Sequence, residues 1–320
     1  MSDEPSVQSQ SVTATPPEPS PATDGSASSP TPARRPRSAR PLIFGALTAA
    51  VIVILVVAYV AVGYIDGQAR LDRAQKAYNS VVDHQNTLNG AVQGLADKLP
   101  TGNVTTATAA DLQQAKTTLD QILSKAKDAQ PQIDSDDAAL AGAQTQLTQD
   151  QWLTAVSRSE LDKTYAKIGH MRAALADAKV ITSDYAKIGP FLDAYLDMAV
   201  DVETIISKGN SSDFSGTAAA NEKLKTDVAK AIQLDSAPGL PTSMDSLLKL
   251  IQSLANDITN LLNAAASLDE AAFNAADAAG QADSTKLESF DYKGMSDSIK
   301  NYYQGLIDAY NAEIDKANIG

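Results

Sequence analysis

The sequence predicts an all-α protein: one transmembrane helix near the N-terminus, followed by an elongated antiparallel helical bundle built as one large or two stacked bundles. Three observations lead there. Leu42 to Ile65 runs 24 residues without a charge, against about 20 needed to cross a bilayer core. Beyond it, apolar residues recur at alternating spacings of three and four, the period of an amphipathic helix and of a heptad seam. No segment of comparable length alternates apolar and polar residues with β-branched enrichment between turn signals, as a half-buried strand would.

Residues 1–40 read as a Pro/Ser/Thr-rich tail. Met1 to Ala33 carries too little apolar area to offset the entropy of ordering it, so disorder is expected. Residues 41–65 read as an uncleaved signal anchor. Ala61 and Gly63 make a tolerable small-x-small cleavage pattern, but the apolar core of a cleaved signal spans about 7–15 residues and lacks a leader of this length. Arg34, Arg35, Arg37 and Arg40 cluster just before the span, while Arg70, Arg73 and Lys76 follow it more loosely. This bias is expected to hold the N-terminus in the cytoplasm and the remainder outside it, at the cell membrane. Tyr59 and Tyr64 fall where an outer aromatic belt would sit.

The formal net charge is -13. The tail balances four acids against four arginines and the span is uncharged, so the whole imbalance lies beyond it, as 35 acids and 22 bases. Such a surface repels phosphate backbones, which argues against a nucleic-acid partner. The chain has no cysteine, so disulfides, thiolate metal sites and thiol nucleophiles are absent together.

The apolar seam begins at Leu71, Ala74, Tyr78, Val81, Gln85, Leu88, Val92, Leu95 and Leu99. It predicts that the membrane helix continues outward as a stalk and stops before Pro100, with Gln85 as a register-setting or tolerated polar residue. A second helix carries Leu112, Ala115, Leu119, Ile122, Ala126, Ala129 and Ile133, with Thr108 and Asp111 as a capping pair and Pro131 interrupting it near its end. A third stretch, Ser135 to Ile188, slips phase around Trp152 to Val156, which suggests a stutter or a break. Gly189 is expected to end it, with Pro190 opening the next helix. Later helices are expected at 190–208, 217–235, 242–266 and 294–318, with a short alanine-rich helix between the last two, capped by Ser267 and Glu270. These group as a first bundle region, 66–189, and a second, 190–320.

Chemistry is sparse. Asp134, Asp136 and Asp137 resemble the start of a calcium loop, but Ala139 stands where the loop needs glycine and Thr145 where it needs glutamate. The cluster reads instead as acids at a helix N-terminus. Catalytic motifs built on His-Glu-x-x-His, Gly-x-Ser-x-Gly or a phosphate-binding glycine loop do not occur, so an enzyme, a metal site and a cofactor are not expected. Tyr-Ala-Lys-Ile-Gly occurs twice, at 165–169 and 185–189, which two copies alone do not make a repeat architecture. Tyr292, Tyr302, Tyr303 and Tyr310, with Phe290, form the densest aromatic group. They are candidates to line a pocket for a ligand or partner, or to fill the core under the last helix.

Two functional readings emerge. One is a membrane-anchored, non-enzymatic scaffold whose acidic extracytoplasmic domain binds another envelope protein. The alternative is an extracytoplasmic ligand-sensing bundle, which would act through a separate membrane partner because the short tail leaves no room for an output domain. A partly apolar pocket between helices favours sensing, and a filled core with an outer patch favours the scaffold.

Overall fold

The computed structural model describes residues 40–93 and 108–319, with side chains from Ile52 onward. The expected disordered tail, Leu95, Leu99 and the stalk end before Pro100 lie outside them. Within the described residues there are seven α-helices and no strand. They are α1 (Arg40–Val92), α2 (Ala109–Thr148), α3 (Arg158–Asn210), α4 (Phe214–Gln233), α5 (Ser243–Ser267), α6 (Glu270–Glu288) and α7 (Tyr292–Ile319). A single 3-10 turn, Ala155–Ser157, precedes α3. By contacts the chain divides into Met1–Val53 and Ile54–Gly320. Of the first unit only the opening of α1 is described, and all the other helices belong to the second.

α1 is long and apolar enough to cross a membrane, by length and composition. A core helix would bury its apolar residues, whereas Ile52 to Val57 are each more than half exposed. That exposure fits a membrane span or a signal sequence. From Ala74 onward the expected seam is buried: Ala74, Tyr78, Val81, Leu88 and Val92 are nearly inaccessible, and Gln85 is half-buried.

Side-chain contacts fix the topology. Arg172 of α3 pairs with Asp137 of α2 at 2.7 Å, and Lys116 of α2 with Asp193 of α3 at 3.1 Å, so α2 and α3 run antiparallel. Tyr302 reaches Asp184 and His170 reaches Glu313, which sets α7 antiparallel to α3. His84 of α1 meets Asp136 of α2, and the Tyr78 hydroxyl donates to the Ala317 carbonyl of α7 at 3.3 Å. The outer part of α1, α2, the first half of α3 and α7 therefore form one four-helix arrangement. The second half of α3 packs on α4, α4 on α5, and α5 on α6. α3 belongs to both groups.

Three expected boundaries are corrected. α2 runs through Pro131 and α3 runs through Gly189 and Pro190 without ending. Proline removes one helical hydrogen bond and crowds the carbonyl four residues back. Both rings face solvent, so water can take up the carbonyls of Lys127 and Ala186 and the helices persist. Gly189 is required by packing rather than by helix termination, because a methyl there would lie 2.6 Å from Leu123 Cδ1. The alanine-rich helix is capped by Asp269, whose side chain accepts from the Ala272 amide, and Ser267 remains inside α5. The Thr108–Asp111 capping box is present as expected, and the phase slip at Trp152 is a true break between α2 and α3.

Leu88 is 2 % exposed within the core. Leu88→Ala is expected to cost about 2–5 kcal/mol. Lys76→Ala, which removes only an exposed i,i+4 pair with Asp72, should cost roughly 0.5 kcal/mol or less. Urea unfolding of the detergent-solubilised chain reads both, and equal midpoints for the parent and Leu88→Ala would refute the packed seam.

Candidate functional site

A cleft of about 770 Å³ lies between the second half of α3, α5, α6 and the first residue of α7, with Leu224 of α4 at its edge. Its size falls in the range of small-molecule sites, about 300–1,000 Å³. It exists because α6 packs on α5 and only sparsely on anything else. From Ala264 to Ala279 nine of sixteen residues are alanine. Short side chains let α6 approach α5, but they cannot reach across to α3, so the gap between α6 and α3 stays open.

The walls differ in chemistry. α3 contributes Tyr195, Met198, Val202 and Ile205, and α5 contributes Ile251, Leu254, Ile258 and Leu261. Opposite them α6 presents Asp277, Gln281, Ser284, Thr285 and Glu288, and Asp257 of α5 lies at the junction. No lysine, arginine or histidine lines the cleft. Burial, followed by the charge of Asp283, pushes the Asp257 carboxyl above the usual carboxylate range. Asp283 itself is held below that range, chiefly by its hydrogen bond to Lys286 and then by Ser253. Burial raises the Tyr195 and Tyr292 hydroxyls, which stay neutral at physiological pH.

The four tyrosines do not converge. Tyr292 lines the cleft and meets Phe290 edge-on, with ring centroids 5.2 Å apart. Tyr303 is fully buried, donates to the Pro238 carbonyl at 3.1 Å and sits 5.1 Å from the Tyr185 ring. Gly239, at φ +84°, completes that turn against Tyr302, where a side chain would be strained and crowded. Tyr310 donates to Asn89 of α1 at 2.8 Å, and burial pushes its hydroxyl up to about 12. Tyr302, partly exposed, donates to Asp184 at 2.9 Å. Three of the four thus dock α7, and the cleft takes its character from α3, α5 and α6 residues that the sequence pattern does not single out.

Asp134, Asp136 and Asp137 lie in the middle of α2, which overturns their reading as a helix N-terminus. They address three different partners: Lys179 at 2.7 Å, His84 at 3.2 Å and Arg172 at 2.7 Å. Pointing apart, they serve as ties between helices. Among the described residues no group of three or more metal-ligating side chains gathers. Compared with protein families, curated proteins and solved structures, the chain has no significant match.

A second acidic feature sits where α3 meets α4. Asp201 is 8 % exposed, and its Oδ2 is buried without a hydrogen-bond donor. Burial first, then a hydrogen bond to and the charge of Asp227, push its carboxyl up to about 7. A proton shared between the two carboxyls satisfies the orphan oxygen. The native state therefore retains, between about pH 4 and 7, a proton that the unfolded chain releases near 3.9, so stability falls as pH rises through that window. Asp201→Asn should flatten this dependence and raise stability at pH 8 by roughly 1–3 kcal/mol. Thermal unfolding followed from pH 4 to pH 8 checks it, and a parent protein whose stability rises over that range would contradict the assignment.

Proposed function

We propose that this protein is a membrane-anchored, non-enzymatic binding domain, held outside the cytoplasm, that captures a small ligand in the cleft between α3, α5 and α6. The cleft carries this reading, because an open apolar slot inside a bundle is what sensing requires and a filled scaffold lacks. The ligand class is set by the walls. An apolar body lies against α3 and α5, and a cationic group meets Asp257, Asp277 and Glu288, in a cleft whose described lining holds no base. In this reading, binding is passed to a separate membrane partner.

The scaffold reading keeps one observation in its favour. Phe214, at the start of α4, is 66 % exposed, and Leu268, in the α5–α6 turn, is 91 % exposed. Exposed large apolar side chains are what a protein partner would cover.

Gly280 separates ligand binding from stability. It lines the cleft, and a Cβ there would make ordinary contact with Asp257 Cβ at 3.8 Å. Gly280→Leu should stabilise α6 by about 0.5–1 kcal/mol through helix propensity while filling the slot. In nanodiscs, the variant is expected to melt higher and to lose at least about tenfold in affinity for the neutral dye N-phenyl-1-naphthylamine. In the parent, dodecylamine should displace the dye better than dodecanoate. Equal dye binding by the parent and Gly280→Leu would sink the cleft as the binding site.

The orientation has its own test. Protease added to cells whose outer layers have been opened should digest the chain beyond Asp66, and protection of that region with digestion of the tail would reverse the topology.

A further inference from the structure

The break between α2 and α3, residues 149–157, lies against the apolar part of α1. Gly63 and Gly67, one turn apart, make this approach possible: a methyl at Gly63 would collide with the Leu153 carbonyl, and one at Gly67 would lie 2.7 Å from Ser157 Oγ. Trp152 stacks on Tyr59, ring centroids 6.0 Å apart, and the Tyr59 hydroxyl donates to the Trp152 carbonyl. Val156 lines an open apolar groove together with Val56, Val57, Val60, Ala61 and Tyr64. Despite these contacts Trp152 remains 68 % exposed and Val156 56 % exposed.

Charge stops just above this region. Arg70 pairs with Asp66 at 2.6 Å, donates to the Gln146 carbonyl at 3.1 Å and to the Gln149 carbonyl, and lies 4.0 Å from Asp150. Residues 151–157 then carry no charge until Arg158, which pairs with Asp162. An uncharged loop bearing an exposed tryptophan thus lies beside the span on the apolar side of a polar layer.

Helix geometry sets its depth. The uncharged run of 24 residues exceeds the roughly 20 that a bilayer core needs by only about 6 Å of helix. Contacts with the loop extend from Gly67 down to Tyr59, about 12 Å along the axis. Even with the hydrocarbon fitted to residues 42–61, Tyr59 stays inside it, and the Trp152 ring stacked on it enters with it.

We propose that residues 151–156 form a second membrane contact, with Trp152 and Val156 seated in the outer headgroup and acyl boundary of the lipid bilayer beside the α1 span. This inference rests on α1 spanning the membrane. An indole at that depth has its apolar ring in lipid and its N–H near water, the position tryptophan favours.

Trp152 is the only tryptophan in the chain, so the unmodified protein carries its own reporter. In nanodiscs of phosphatidylcholine and phosphatidylglycerol, replacing the lipid with chains brominated near the headgroup should lower Trp152 emission roughly twofold, while aqueous iodide quenches it little. Quenching by iodide and not by brominated lipid overturns the proposal. So does protection from both quenchers, which would mean that a protein partner or a second copy covers the loop. A control chain, Trp152→Phe with Leu55→Trp, reports on the span alone. If it is quenched by brominated lipid when Trp152 is not, the loop contact fails and the span stands; if it is not quenched, the span reading fails and takes the loop contact with it.

Discussion

Between Ile181 and Ala199, α3 buries most of its circumference, with Ile181, Thr182, Tyr185, Ile188, Phe191, Leu192, Tyr195, Leu196 and Met198 inside and only a stripe through Ala186, Lys187 and Pro190 exposed. A helix buried over so wide an arc needs neighbours on several sides. α2 and α7 run along α3 from its first half into its second, α1 reaches Tyr185, and α4 covers the second half. Ala178, Gly189 and Ala194, all buried, let these neighbours come close, and the Thr182 hydroxyl stays satisfied by donating back to the Ala178 carbonyl at 3.0 Å. On its apolar arc, the sector left incompletely covered lies where α6 should close over Met198, Val202 and Ile205, and that sector is the cleft.

Ion pairs between helices supply registration rather than bulk stability. Lys116 reaches both Asp193 and Asp197, and Asp134, Asp136 and Asp137 each tie α2 to a separate position on its neighbours. Partly exposed pairs of this kind contribute little individually. Shifting α2 by one turn would nonetheless break all of these pairs at once, and this penalises wrong packings more than it strengthens the right one.

The helical class was legible because a three-four spacing has one physical explanation, and the stalk seam from Ala74 to Val92 is buried as its period requires. The prolines misled because a sequence does not reveal which way a ring faces, and a solvent-facing proline costs too little to end a helix packed along its whole length. The repeated Tyr-Ala-Lys-Ile-Gly shows the same gap between pattern and placement. Twenty residues rotate a helix by about 200° beyond whole turns, so Tyr185 is fully buried while Tyr165 is 43 % exposed. Of the four C-terminal tyrosines only the adjacent 302 and 303 meet, edge-on with ring centroids 5.1 Å apart, while Tyr292 and Tyr310 lie at other places along α7. The alanine run was visible, but its result depends on what α6 fails to touch, and no property of a single segment encodes that.

α1 is one unbroken helix from before the span to Val92, and its consequence is dimensional. A flexible tether would let the bundle sweep a hemisphere, whereas a helix locked to its own bundle by Tyr78, His84 and Asn89 moves with it as a rod. On the membrane-anchored reading, the cleft then stays within a thin layer over the bilayer, beyond the roughly 40 Å of helix from Asp66 to Val92, because its α3 wall starts ten residues past Tyr185, which donates to the Val92 carbonyl. Encounter with anything confined to the same membrane becomes a lateral search in two dimensions. A ligand affinity too weak to matter in free solution is enough when the molecule that supplies or receives that ligand travels in the same layer.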